Sequence, residues 1–160
     1  MSQPVGQAVT SYLDSSALVK RYLVETGTPW VQTWCADPIQ TVAVAEIGLV
    51  EIAAAFAGKL RGAHITPAQY DNARTDLAAD AHDAYVLVTI NRAVVDEAIE
   101  LTAKYRLRGY DAVHLACALT LDRALTAYRL PSLVFISADD DLMKAATAEG
   151  LATDNPNHHQ

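Results

Sequence analysis

Short apolar runs alternate along this chain with longer stretches whose apolar positions recur at helical spacing. Val9 to Leu13 is an apolar run ending at Asp14 and predicts a strand. Ser15 and Ser16 follow as N-cap candidates for a helix opened by Ala17, Leu18, Val19 and Tyr22, which stops near Gly27. Thr28-Pro29 begins a second short helix running to about Ala36, with proline at a favoured early position. After the Asp37-Pro38 turn, Ile39 to Val42 predicts a brief strand. The Ala-rich segment Val44 to Ala57 predicts a helix, with Gly58 or Gly62 ending its region.

The pattern continues with a helix from Thr66-Pro67 that carries Tyr70, Ala73, Leu77 and Ala81. A β-branched strand follows over Tyr85 to Thr89, then a helix capped by Asn91. Gly109 separates that helix from the next, Asp111 to about Ala127. Leu133 to Ile136 is the last predicted strand, and Asp139 to Glu149 the last helix, closed by Gly150. Strands alternating with helices imply an α/β fold with a parallel sheet covered on both faces. No repeat or linker divides the chain, so one domain is expected over residues 1–154. The polar tail, 155–160, is expected to fray.

Composition supports a folded domain: hydrophobic residues make up 51% of the 160 and charged residues 19%. The longest apolar stretch, Val42 to Leu60, is interrupted by Glu46, Glu51 and Lys59, which excludes a membrane span. The amino end has no basic start followed by an apolar run, so no secretory signal is expected. Cys35 and Cys117 show no metal-ligand spacing and no disulfide framework, although one pair could bridge, and a reducing, cytoplasmic setting fits. The formal net charge of −7 argues against a nucleic-acid binder unless part of the acid forms a cation site.

Four carboxylates stand where solvated surface does not explain them. Asp14 and Asp139 each follow an apolar strand, and in open parallel sheets ligands bind beyond the carboxyl ends of strands. Helix capping is the ordinary use of Asp at such a junction, but two in one small domain suggest a shared site. Glu46 has Val42, Ala43, Leu49 and Val50 at helical spacing, which predicts a carboxylate in an apolar stripe that must be paired, protonated or bound to a cation. Glu51 is also flanked by apolar residues. Five helical positions turn it about 140° from Glu46, so both are not expected in one site, and Glu46, nearer the strand end, is the choice. Asp111 opens an apolar helix just after Lys104, Arg106 and Arg108, the densest basic cluster in the chain. That cluster suits backbone contacts to a polyanion, or else a solvated helix end. Hard oxygen donors without Cys or paired His favour Mg²⁺ or Mn²⁺, as one ion or two, over zinc.

The runs Leu13-Asp14-Ser15-Ser16-Ala17-Leu18-Val19-Lys20, Val44-Ala45-Glu46, Tyr110-Asp111-Ala112-Val113-His114-Leu115-Ala116 and Phe135-Ile136-Ser137-Ala138-Asp139-Asp140-Asp141-Leu142 resemble a PIN domain of the VapC toxin type. Ala145-Ala146, Glu149-Gly150-Leu151 and Asn155-Pro156 fit as well, so the resemblance covers nearly the whole chain in order. It implies a three-layer α/β/α sandwich with a short, mostly parallel sheet, and a Mg²⁺- or Mn²⁺-dependent endoribonuclease. It also implies a toxin restrained by a cognate antitoxin, and a homodimer. Carried over by position, the metal-binding carboxylates are Asp14, Glu46, Asp111 and Asp139, with Asp140 in reserve because of the Asp139-Asp140-Asp141 run. Ser137 falls at a Ser or Thr position beside the site, and Ser15 and Ser16 match a Thr-Ser or Ser-Ser pair. His114 is expected to be packed and hydrogen-bonded rather than a ligand.

Two other readings remain open on the sequence. A catalytically inactive PIN-like binding module would keep the fold without turnover. A Mg²⁺-dependent phosphate switch of the receiver type would need a Lys at the end of a later strand, where this chain has Ser137-Ala138-Asp139. An acidic cleft on a protein of net charge −7 suits an antitoxin segment that is basic and places an Arg among the carboxylates.

Overall fold

A computed structural model describes residues 7–159 of the chain. Five strands, β1 (Val9–Leu13), β2 (Gln40–Ala45), β3 (Val86–Val88), β4 (Val134–Ile136) and β5 (Ala152–Asp154), form one sheet in the order β3-β2-β1-β4-β5. All the pairings are parallel. The order reverses at β1: the chain first builds outward through β2 and β3, then crosses to β4 and β5 on the other side. Ligand sites in such sheets lie at this reversal, beyond the carboxyl ends of the strands.

Alternation along the strands divides the core in two. Tyr12, Ala43, Ala45 and Phe135 face one side, where α5 (Arg92–Lys104), α6 (Gly109–Ala127) and α7 (Asp140–Ala148) pack over them. Leu13, Val42, Val44 and Ile136 face the other, beneath α1 (Ser15–Leu18), α2 (Thr28–Ala36), α3 (Glu46–Arg61) and α4 (Pro67–Asp83). This is the α/β/α sandwich expected of the sequence. Buried strands paired on both sides carry apolar residues on both faces, which is why their runs are continuous rather than alternating. Cys35 and Cys117 are both free and belong to the cores on opposite faces, so they form no bridge. No helix among the described residues is long and apolar enough to cross a membrane.

The first helix ends at Leu18 and gives way to a 3₁₀ turn, Val19–Arg21, well short of Gly27, and further features differ from the sequence expectation. The strand expected over Ile39 to Val42 runs on to Ala45, and the helix expected from Val44 begins only at Glu46. Ala43, Val44 and Ala45 pair with Val86, Leu87 and Val88 there, so sheet pairing overrides the helical preference of alanine. The fifth strand, β5, carries only Thr153 as a β-former and gave no periodic signal. The segment after Asp154, expected to fray, instead packs against the domain. Asn155 is 2% exposed and donates to Asp140, Pro156–His158 form a 3₁₀ turn, and the His159 ring stacks on Trp30 at 4.3 Å. Gly27 makes room for that turn: at φ 87°, a Cβ there would stand 2.5 Å from the Pro156 carbonyl oxygen.

Candidate active site

Asp14 leaves the end of β1 and caps α1, its Oδ1 accepting from the Ala17 amide at 3.0 Å. Ser16 Oγ donates to the same oxygen and Ser137 Oγ to Oδ2, both at 2.7 Å. Three donors occupy three of the roughly four lone-pair positions of a carboxylate, so one on Oδ2 is left. The two serines also bind the neighbouring loop: Ser16 accepts from the Ala138 amide and Ser137 from the Asp139 amide, each at 3.0 Å. The ends of β1 and β4, adjacent at the topological reversal, are thereby locked together around one buried acid.

Asp139 is the N-cap of α7, its Oδ1 accepting from the amides of Asp141 and Leu142 at 2.9 and 3.1 Å. Asp140 points elsewhere: it is exposed, bonds Asn155 and lies near His158. Of the acidic run, the structure thus puts Asp139 in the cleft and the reserve, Asp140, outside it. Asp111 sits in the first turn of α6 and is largely buried.

Glu46 does not join them. It is exposed and lines neither hollow of the cleft described below. Val42 and Ala43, counted as its helical neighbours, belong to β2, and Val50, one turn on, is 63% exposed. The expected apolar stripe therefore never forms around it. Glu51 takes the place instead, with Oε2 accepting from Ser15 at 3.1 Å and Oε1 meeting His114 Nε2 at 2.6 Å. The buried face of α3 runs through Gly48, Ile52 and Phe56. Glu51 stands at its edge, and that stripe was the signal for the acid that lines the cleft. His114 is packed and hydrogen-bonded, as expected, with Nδ1 2.7 Å from the Tyr12 hydroxyl.

The four acids Asp14, Glu51, Asp111 and Asp139 line one hollow of about 290 Å³, together with Ser15, Ser16, Arg108 and Tyr110. A second of about 460 Å³ adjoins it through Arg108, Asp111 and Asp139 and adds Arg106 and Asp141. Of the expected basic contacts, Arg106 and Arg108 are therefore at the cleft. Lys104 is not: at the end of α5 it pairs with Glu149 at 3.0 Å. Tyr110, which sequence reasoning passed over, presents a half-exposed ring there, its hydroxyl accepting from Arg108 at 2.8 Å.

The electrostatics follow from this crowding. Burial pushes the Asp14 carboxyl above its ordinary pKa, opposed by His114 and by its three hydrogen bonds. Burial also raises Asp111, and the charges of Asp139 and Asp14 raise it further, against Arg108. Among the described residues, no group of three or more His, Cys, Asp or Glu side chains is arranged to hold an ion as it stands. In kind, however, the donors fit a hard cation: all are carboxylate oxygens on a single cleft, and their mutual repulsion is what a positive ion would relieve. The loop after β4 supplies Ser137, not the Lys a receiver-type switch requires.

Comparison with known proteins agrees with this architecture. The family model described as PIN domain matches residues 11–148. Ribonuclease VapC47 of Mycobacterium tuberculosis is 28% identical over 148 residues, covering 91% of this chain and 96% of that protein. Ribonuclease VapC45 of the same organism is 31% identical over 140 residues, covering 87% and 90%. Among solved structures, the M. tuberculosis toxin–antitoxin system VapBC-5 superposes with a TM-score of 0.55 at 16% identity, covering 92% of this chain and 97% of that one. A match spanning all of the site acids, with relatives aligned nearly end to end, places this chain in the PIN-domain family, among proteins of the VapC type.

Proposed function

We propose that this chain is a Mg²⁺- or Mn²⁺-dependent endoribonuclease acting as the toxin of a toxin–antitoxin pair, with Asp14, Glu51, Asp111 and Asp139 as its ion-binding acids. The observation that carries the reading is the convergence of these four carboxylates on one cleft at the topological reversal of the sheet. When bound, such an ion polarises a phosphoryl oxygen and lowers the pKa of water, so that a nucleophile exists at neutral pH. The chain's own residues prepare for this. Ser16, Ser137 and the Ala17 amide orient Asp14, Ser15 and His114 orient Glu51, and the α7 amides orient Asp139. Burial and the charges of Asp139 and Asp14 together hold Asp111 above the ordinary carboxylate range.

Arg106 and Arg108 flank the acids and suit the phosphates on either side of the cleaved bond, while the Tyr110 ring offers a stacking face for a base. Arg108→Ala is expected to raise KM for RNA several-fold, roughly as the loss of one phosphate contact requires, with a smaller fall in kcat. A gel-based titration of a defined RNA measures both. The same acidic cleft suits an antitoxin whose basic segment inserts an Arg among the carboxylates. The chain is also expected to pair with a second copy, which sedimentation of the purified chain checks.

The direct test is to map cellular RNA ends after brief expression of the wild type and of Asp14→Asn. Ends present only with the wild type are expected. Identical end profiles, with the variant folded, would contradict the assignment.

A further inference from the structure

Below the cleft, a line of polar contacts runs from one core, past the carboxyl end of the central strand β1, to the carboxylate wall. Tyr12, on β1, is fully buried and stacks on Phe135 with ring centroids 5.6 Å apart. Its hydroxyl meets His114 Nδ1, and His114 Nε2 meets Glu51 Oε1. An ionised carboxylate only accepts hydrogen bonds, so Nε2 carries the proton. The Tyr12 hydroxyl, 2.7 Å away, donates to the remaining ring nitrogen. The Nε2–H tautomer satisfies both contacts, with Nε2–H donating to Glu51 and Nδ1 accepting from the Tyr12 hydroxyl.

Gly48 lies against both the imidazole and the Val44 side chain. Glycine inside an exposed helix costs about 1 kcal/mol relative to alanine. Here a Cβ on residue 48 would come 3.3 Å from His114 Cε1 and 2.8 Å from Val44 Cγ2. The helix that carries Glu51 thus lies directly on the ring that binds it. A filler of the core would need volume at this position, not a donor at one end and an acceptor at the other.

We infer that His114 is a positioning residue for Glu51: Tyr12 sets its tautomer, Gly48 clears its place, and its Nε2–H holds one Glu51 oxygen so that the carboxylate stays on the cleft wall. Its effect on ion binding rests on the role proposed above for Glu51, whereas the tautomer and the contact do not. Hydrogen-bond partners of metal-binding side chains are typically worth about 10- to 100-fold in metal affinity or activity.

The test combines Mn²⁺ calorimetry on the full chain with ¹⁵N NMR of its histidines. His114→Leu, which fills the volume without a donor, is expected to weaken Mn²⁺ binding about 10- to 100-fold, while His114→Gln, whose amide reaches Glu51 in place of Nε2, stays within about threefold. Melting temperatures of both variants separate this from loss of fold. The wild-type ring is expected as the Nε2–H tautomer, with its Nε2 resonance moving in Glu51→Gln. A folded His114→Leu that binds Mn²⁺ as the wild type does, equal losses in the Leu and Gln variants, or an Nδ1–H tautomer would each overturn the inference. If the wild type binds no Mn²⁺ yet shows the Nε2–H tautomer coupled to Glu51, the ion-binding role fails and the positioning contact stands.

Discussion

Glu51 accepts from Ser15 and meets His114 at the cleft, while Glu46, five residues earlier on the same helix, faces solvent. Removing one charge from each separates the two. Glu51→Gln is expected to lower Mg²⁺-dependent cleavage of a defined RNA by about 100-fold or more, on the scale of losing a transition-state contact, with Glu46→Gln within about twofold of wild type. Equal effects would return Glu46 to the site. Asp111 offers a second test, through pH. Its folded-state pKa is raised, so the folded chain binds more protons than the unfolded chain between the ordinary carboxylate value and the raised one. Stability is therefore lost as pH rises through that window. Asp111→Asn should show no gain in melting temperature below about pH 4 and a gain at pH 7 in metal-free buffer, about 2–4 °C for each kcal/mol relieved. A gain independent of pH would mean that the charge of Asp111 is not what strains the fold.

At the scale of elements, capping and function coincide at the N-termini of α1 and α7. Asp139 accepts from two α7 amides and also lines the cleft, so two substitutions divide its roles. Asp139→Ala should cost about 1 kcal/mol of stability through the lost cap, whereas Asp139→Asn retains a good cap and should melt near the wild type while losing cleavage. Paired denaturation and cleavage measurements check this. The dual use also explains what could be read from the sequence. Asp14 and Asp139 were legible because a strand followed by a capped helix leaves a plain pattern. The apolar stripe expected around Glu46 failed at an element boundary. The alanine content predicts helix back to Val44 and so makes strand residues the helical neighbours of Glu46, whereas pairing with β3 keeps Ala43 to Ala45 extended. The Glu51–His114 contact spans 63 residues, and no local pattern carries it.

For the whole molecule, the parallel sheet and the covering of both its faces followed from the alternation of strands and helices, but the closing segment did not. Asn155 to His159 is polar in sequence and folds because it has specific partners, Asp140, Asp154 and the Trp30 ring. A chain ending at Asp154 should therefore melt several degrees lower, an effect of the size expected for losing about 1–2 kcal/mol. Unchanged melting would make the segment incidental to stability. The net charge of −7 is likewise a property of the whole that one site accounts for in part: four of its acids face each other where a cation would relieve them. The most direct measurement of that claim is cleavage of a defined RNA by the purified chain in EDTA and across a Mg²⁺ titration, beside Asp14→Asn and Asp111→Asn verified as folded. Cleavage that rises with Mg²⁺, vanishes in EDTA and is absent from both variants is the expected result. Cleavage undiminished in EDTA, or retained in either variant, would contradict the account.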